Sequence, residues 1–280
     1  MGQHFLSLYR DAANPPTDIA DAKAVQGALD GHKPDVVINC AGKTGRPNVD
    51  WCEDHPTETF RSNVLGPLVL LEECRKRGIY WVHLSTGCIY EESKRSKGVK
   101  GRKGDMGFSE EDPPNFFGSV YARTKGLSDQ LLKGQLILQL RPRMPFSGTP
   151  HDRNLITKLL SYPRVLDVQN SLTSIEDFLS ATAELVRRRR TGTYNIVNPG
   201  TLSPFDVMQM YKEIVDPMHT FERLTLEDLP TAVKAGRSNC ILSTEKLARE
   251  GIALRPVGEA MRVALKEYKR HVQAGRPVEV

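Results

Sequence analysis

The apolar positions of this chain alternate between two periods. Asp35-Val-Val-Ile-Asn39 is a continuous apolar run of strand length, which fits a strand buried on both faces of a parallel sheet. Tyr80 to Ser85, Leu136 to Leu140 and Tyr194 to Val197 read as further strands. Phe5 to Tyr9 reads as a short strand as well, broken by Asp11 to Pro16. Between these runs the spacing turns helical. Asp21 to Leu29 carries the stripe Ala24, Val25, Ala28 and Leu29, and Val64 to Cys74 turns Leu65, Leu68, Leu70 and Leu71 inward. Helices are also predicted over Gly118 to Leu132, Leu155 to Leu160, Thr173 to Arg188, Pro204 to Val215, Ser243 to Glu250 and Gly258 to Tyr268. This alternation predicts an α/β fold with a doubly wound, Rossmann-like parallel sheet. Residues 1–145 form its dinucleotide-binding part. Residues 146–280 form mainly a smaller C-terminal substrate lobe, with segments exchanged between the two.

Composition narrows the class. The chain has 280 residues, 39% of them hydrophobic, enough for a cored domain with a small appended lobe. Net charge is +5, and the excess is local: Lys94 to Lys103 holds six cations and Arg187 to Arg190 is a run of four. A solvated loop and a helix C-terminus account for these runs. No stacking aromatics are interleaved, so no nucleic-acid partner is expected. The five cysteines form no C-x-x-C pair, which indicates neither a metal site nor a disulfide framework. Reduced thiols fit a cytoplasmic protein. No apolar stretch approaches bilayer length, so no membrane partner is expected.

Tyr121-Ala-Arg-Thr-Lys125 carries the first chemistry. A Tyr and a Lys four apart on a helix share one face. The ammonium is expected to favour the ionised phenol and draw its pKa down, so that Tyr121 can protonate a carbonyl oxygen as hydride reaches the carbon. A dinucleotide-binding sheet normally opens with a strand, a Gly-rich turn and a helix. No such turn lies upstream of Asp35, and Phe5 to Tyr9 falls in the second strand position. The first strand and the Gly-rich turn are therefore expected to be missing. Three readings follow: a chain starting after that unit, a natural variant that fills the slot differently, or a degenerate form that no longer binds nucleotide.

Asn39-Cys-Ala-Gly42, Leu84-Ser-Thr-Gly-Cys-Ile-Tyr90 and the Tyr121/Lys125 helix together resemble the extended short-chain dehydrogenase/reductase superfamily. Within it, the chain resembles the nucleotide-rhamnose synthases, bifunctional 3,5-epimerase/4-reductases acting on nucleotide-4-keto-6-deoxyglucose. The carrying segments are Thr44-Gly-Arg-Pro-Asn-Val-Asp-Trp-Cys-Glu53, Thr86-Gly-Cys-Ile89, Pro114-Asn-Phe-Phe-Gly-Ser119, Arg141-Pro-Arg-Met-Pro145, Arg153-Asn-Leu-Ile-Thr-Lys158, Val197-Asn-Pro-Gly200 and Arg237-Ser-Asn239. The first of these separates the chain from the monofunctional deoxythymidine-diphospho-4-dehydrorhamnose reductases, which it resembles more distantly.

The resemblance implies roles. Tyr121 protonates the C4 oxygen, Lys125 holds the nicotinamide ribose, and Thr86 hydrogen-bonds the same oxygen; a strand-end hydroxyl capping its own backbone is the alternative for Thr86. Cys88 and Lys158 form the epimerase acid/base pair, against an inert thiol and a surface lysine. Cys40, Ala41, Gly42 and Asn63 line the cofactor's path, and Asp18 and Ile19 fall where adenine is contacted, with plain turn chemistry as the other reading. Arg46, Asn48, Asp50, Arg143 and Arg237 are candidates for sugar or diphosphate, since arginine forks suit phosphate; an ion pair with Asp50 or Glu53 is the alternative. The implied cofactor is NADPH, with NADH open, and Arg10 is a candidate reader of the 2′-phosphate. The implied substrate is a uridine- or deoxythymidine-diphospho-4-keto-6-deoxy sugar, and the implied assembly a homodimer through Val64–Cys74 and Gly118–Leu132. A reductase without epimerase activity and a non-catalytic regulatory subunit are the competing functions. The lysine-rich segment Glu91 to Gly107, next to Cys88, is longer than the family pattern and bears on the substrate.

Overall fold

A computed structural model describes residues 2–9, 11–92, 107–229 and 233–275. The Lys94 to Lys103 run, most of the lysine-rich segment that contains it, and Arg10 lie outside the described residues. In chain order the elements are α1 (Gly2–Leu8), α2 (Ala22–His32), β1 (Val36–Asn39), α3 (Trp51–Asp54), α4 (Pro56–Phe60), a π-helical turn (Arg61–Leu65), α5 (Gly66–Lys76), β2 (Tyr80–Leu84), α6 (Val120–Leu132), β3 (Leu138–Arg141), β4 (Pro145–Phe146), α7 (Leu155–Leu160), β5 (Arg164–Leu166), β6 (Thr173–Ser174), α8 (Ile175–Arg187), β7 (Gly192–Asn195), α9 (Pro204–Ile214), β8 (Glu222–Leu224), α10 (Glu245–Arg249) and α11 (Val257–Gln273).

The main sheet runs β1-β2-β3-β7, with every neighbour parallel. Its two faces are both covered, as the apolar runs require. On one face Val82, Leu138 and Leu140 pack with Phe178, Leu179 and Leu185 of α8 and with Phe5. On the other, Trp81 and Ile137 pack with Val25 and Leu29 of α2, Leu70 and Cys74 of α5, and Leu132 of α6. The expected Rossmann-like layering is present.

Phe5 to Tyr9 is a correction. Residues Gly2–Leu8 form a helix, not a strand. Phe5 is buried and meets Phe178 edge-on at 6.2 Å, while Tyr9 is half-buried. The helix buries Phe5 with its own backbone hydrogen bonds made internally, where a strand would need a ladder partner. Leu6 and Leu8 are exposed. β1 pairs with β2 on one side only among the described residues. Val36, Val37 and Ile38 are accordingly half-exposed, although their sequence reads as a fully buried strand.

The second half of the chain builds two structures. β4–β6 and β5–β8 pairs, with α7, α9 and α11, enclose a separate core around Ile156, Leu172, Met208, Met261 and Leu265. The intervening α8, β7 and α10 return to the main sheet.

Candidate active site

The site grows from three strand ends and one helix. α6 begins at Ser119, whose hydroxyl accepts the Ala122 N–H at 3.1 Å. Glu53 Oε1 accepts the Val120 N–H at 2.7 Å, putting a carboxylate on the positive end of this helix. That capping contact gives the Gly45 to Glu53 motif a physical purpose the sequence did not disclose. Within that motif Gly45 sits at φ 73, where a side chain would collide with the Asn48 carbonyl and Trp51.

One turn into α6, Tyr121 and Lys125 lie where the spacing predicts. Lys125 is buried and its Nζ donates to the Leu84 carbonyl at 2.9 Å, at the end of β2. Burial lowers its pKa to about 8, and the Asp129 carboxylate one turn further on opposes that. Tyr121 departs from expectation. Its phenol is raised above the ordinary range, first by burial and then by Cys88, with the Thr86 hydrogen bond and Arg143 pulling the other way. A phenol held protonated is the form that donates. The Thr86 hydroxyl hydrogen-bonds Tyr121, and its oxygen accepts the Cys88 N–H at 3.1 Å, the local backbone contact that was the alternative expectation.

Cys88 is half-buried beside these groups, and its sulfur accepts a hydrogen bond from Arg143 Nη1 at 3.2 Å. Tyr121, Thr86, Cys88 and Arg143 therefore form one cluster. Lys158 sits on α7, whose cap residue Asn154 donates to the Ser147 carbonyl at 2.8 Å, so α7 hangs from the segment that follows Arg143. Burial lowers the Lys158 pKa, and the neighbouring Arg153 charge adds to it.

The other candidates are placed as follows. Asn63 is buried and bonds Lys43 from both ends, at 2.8 Å and 3.0 Å, next to Gly42. Asn39 fixes the turn that follows it by accepting the Ala41 N–H at 2.9 Å. Cys40 is pushed up to about 11 by burial. Asp18 accepts from the Ala20 N–H and pairs with Arg61 at 2.9 Å, and Ile19 packs on Gly66, so both secure the turn before α2 to the start of α5. Asp50 and Arg237 bind each other, with 2.8 Å between Oδ1 and Nη1, and Asp50 also accepts the Ala235 N–H. Asn48 caps Asp50 at 2.8 Å, while Arg46 is exposed. The four arginines at 187–190 are held locally: Arg187 and Arg188 by Glu184, Arg190 by Glu250, and Arg189 over the Tyr80 ring.

Sequence reasoning missed the layer beneath. Asp129 accepts from Arg141, Gln139 and Ser85 at 2.5–2.9 Å, all of them buried. Its i+4 spacing from Lys125 was the available signal. Among the described residues no cluster of metal-ligating side chains occurs, and no helix is long and apolar enough to cross a membrane.

A parallel sheet with a Tyr-x-x-x-Lys helix against its strand ends defines a Rossmann-like protein of the short-chain dehydrogenase/reductase class. The chain belongs to the family described as the RmlD substrate binding domain, which matches residues 2–270. It is 40% identical over 245 residues to the bifunctional dTDP-4-dehydrorhamnose 3,5-epimerase/dTDP-4-dehydrorhamnose reductase of Arabidopsis thaliana, covering 87% of this chain and 80% of that protein. It is 39% identical over 231 residues to a trifunctional UDP-glucose 4,6-dehydratase/3,5-epimerase/reductase of the same plant, covering 82% of this chain and 34% of that one. Among solved structures, the L780 UDP-rhamnose synthase of Acanthamoeba polyphaga mimivirus matches with a TM-score of 0.84 at 32% identity, over 91% of this chain and 90% of that one. These relatives are enzymes, as the sequence resemblance implied.

Proposed function

We propose that this protein is a nucleotide-sugar 3,5-epimerase and 4-reductase, acting on a uridine- or deoxythymidine-diphospho-4-keto-6-deoxyglucose to give the nucleotide-L-rhamnose. The observation that carries the reading is the single cluster of Tyr121, Thr86 and Cys88. A proton donor for a carbonyl oxygen thus lies beside a thiol able to act on the adjacent carbons.

The C4 ketone acidifies the protons at C3 and C5. One member of the Cys88/Lys158 pair takes such a proton, and the electron pair moves to O4 as an enolate. Tyr121 and Thr86 hydrogen-bond that oxyanion. The other member returns a proton to the opposite face, which inverts the carbon, and solvent restores the pair. Lowering of Lys158 by burial favours a neutral amine able to accept a proton.

The residues present fit the nicotinamide end of an NADPH or NADH cofactor. Lys125 is buried with one donor committed to Leu84, leaving others for a ribose. Gly42 leaves room beside Asn63 that a side chain would narrow to 3.4 Å. No Gly-rich turn for the diphosphate precedes β1 in this sequence. When bound, the cofactor supplies the hydride for C4, and Tyr121 supplies the proton for O4.

The test is incubation of the chain with the 4-keto sugar in deuterated water, followed by NMR. Deuterium should enter C3 and C5, and Cys88→Ser or Lys158→Met should stop it. Exchange that survives both substitutions would overturn the epimerase assignment.

The same reading includes a homodimer through α5, α6 and the adjoining turn. Phe60, Leu65, Leu127 and Leu131 are all exposed, and they lie on α4, the π-helical turn and α6, which pack against one another. Such a surface suits a second copy.

A further inference from the structure

We propose that Arg143 is the charge partner of Cys88, a positioning residue whose guanidinium stabilises the sulfur anion that forms when Cys88 gives up a proton. This rests on the acid/base reading of Cys88 given above. It assigns Arg143 inward, to the thiol, where the sequence suggested a ligand for the substrate's sugar or diphosphate.

The donors of Arg143 decide between these roles. A guanidinium has five N–H groups. Nη1 donates to Cys88 Sγ at 3.2 Å and to Ser238 Oγ at 3.1 Å. Nη2 donates to the Ser238 carbonyl at 2.6 Å and to Asn170 Oδ1. The fifth, on Nε, is buried without a partner. All four terminal N–H groups are committed inside the protein, and the side chain is 1% exposed. Recruitment by a phosphate would require breaking these bonds and moving a buried cation outward.

The groups that hydrogen-bond the fork are a thiol, a hydroxyl, a side-chain amide and a backbone carbonyl. None is a carboxylate, although Glu91 lies within electrostatic range. A buried cation bonded only to neutral acceptors is costly, and an anion on the sulfur would offset that cost. The position is built with care from the backbone outward. The Arg143 N–H donates to Thr173 Oγ1 at 2.9 Å, and the Gly87 N–H donates to the Pro142 carbonyl at 2.9 Å, which ties the Cys88 loop to the Arg143 strand. A Cβ on Gly87 would meet Arg143 Cβ at an ordinary 3.5 Å and displace the end of the Leu242 side chain, so the Cys88 loop runs close beside the Arg143 strand. Met144, directly after Arg143, sits at φ 41, a backbone region that a non-glycine residue rarely occupies. Cys240, the second thiol within range, is pushed up to about 11 by burial and points its sulfur at the Gly87 carbonyl, at 3.4 Å. The Arg143 charge reaches both thiols, but its hydrogen bond goes to the Cys88 sulfur.

The test is alkylation of the intact chain with iodoacetamide at neutral pH, with Cys88 followed by peptide mass spectrometry. Arg143→Met should slow Cys88 alkylation by about tenfold, and Arg143→Lys should restore most of the rate by returning a cation. Unchanged alkylation in Arg143→Met would overturn the proposal. So would an Arg143→Lys protein that folds yet reacts as slowly as Arg143→Met, since that marks a purely structural role. Should Arg143→Met not fold, the unaltered chain still decides. Cys88 should react faster than Cys40, which is also half-buried, and equal or slower reaction would overturn the partnership. The two readings fail separately. A Cys88→Ser protein that keeps C3 and C5 exchange removes the thiol from the chemistry but leaves the alkylation result standing. Unaltered alkylation removes Arg143 and leaves Cys88 in place.

Discussion

Glu53 caps the helix that carries Tyr121: its Oε1 accepts the Val120 N–H at 2.7 Å from 67 residues away. The contact couples the loop of Gly45 to Glu53 to the orientation of the Tyr/Lys face. Glu53→Ala should destabilise the protein by about 1 kcal/mol through loss of the cap, and Glu53→Gln by less, since an amide oxygen still accepts. Urea unfolding of the three proteins at neutral pH measures this.

Asp129 holds Arg141 in an ion pair whose side chains are 2% and 1% exposed. Removing one partner of a buried pair strands the other charge. Asp129→Asn should cost about 3–5 kcal/mol. It should also lower the Lys125 pKa further, because Asp129 is the group that raises it. Chemical denaturation gives the first quantity and Lys125 titration by NMR the second.

Lys125 gives the protein a particular alkaline response. Its pKa in the folded state is lowered from 10.5 to about 8, so between those values the unfolded chain binds more protons than the native one. Stability therefore rises with pH across that window, by up to about 3 kcal/mol for this group. The gain should vanish in Lys125→Met. Comparing urea midpoints of the two proteins from pH 8 to pH 10 isolates the effect from the tyrosines, which titrate in both.

On the proposed chemistry, Tyr121→Phe should abolish reduction at C4, because the phenol proposed to protonate O4 is gone. Some exchange at C3 and C5 should survive, with Thr86 still facing the enolate. Product analysis beside deuterium incorporation checks this, and equal loss of both would show that Tyr121 serves both steps.

Leu131 is 44% exposed on α6. If this face covers a second copy, Leu131→Glu should convert a dimer to a monomer with little loss of subunit stability. Sedimentation velocity of both proteins reads the outcome; an unaltered chain that sediments as a monomer would remove the homodimer.

Much of this molecule was legible along the chain because it depends on local spacing. The helix Val120–Leu132, the strands beginning at Val36 and Tyr80, and the shared face of Tyr121 and Lys125 follow from periods of 3.6 and 2.0. Phe5 to Tyr9 was not legible, since five residues of mixed pattern fit either period until the sheet offers a place for them. The charge state of the site was equally hidden. Spacing alone put the ammonium of Lys125 in command of the phenol, but burial, a sum over neighbours distant in sequence, raises Tyr121 and lowers Lys125 instead. The sequence determined which residues could do chemistry and on which elements they ride. Only the tertiary structure decided that Arg143 turns inward onto Cys88, that Glu53 caps α6, and that Asp129 anchors Arg141. Each of these pairs is separated by at least 12 residues, and no local period encodes such a contact.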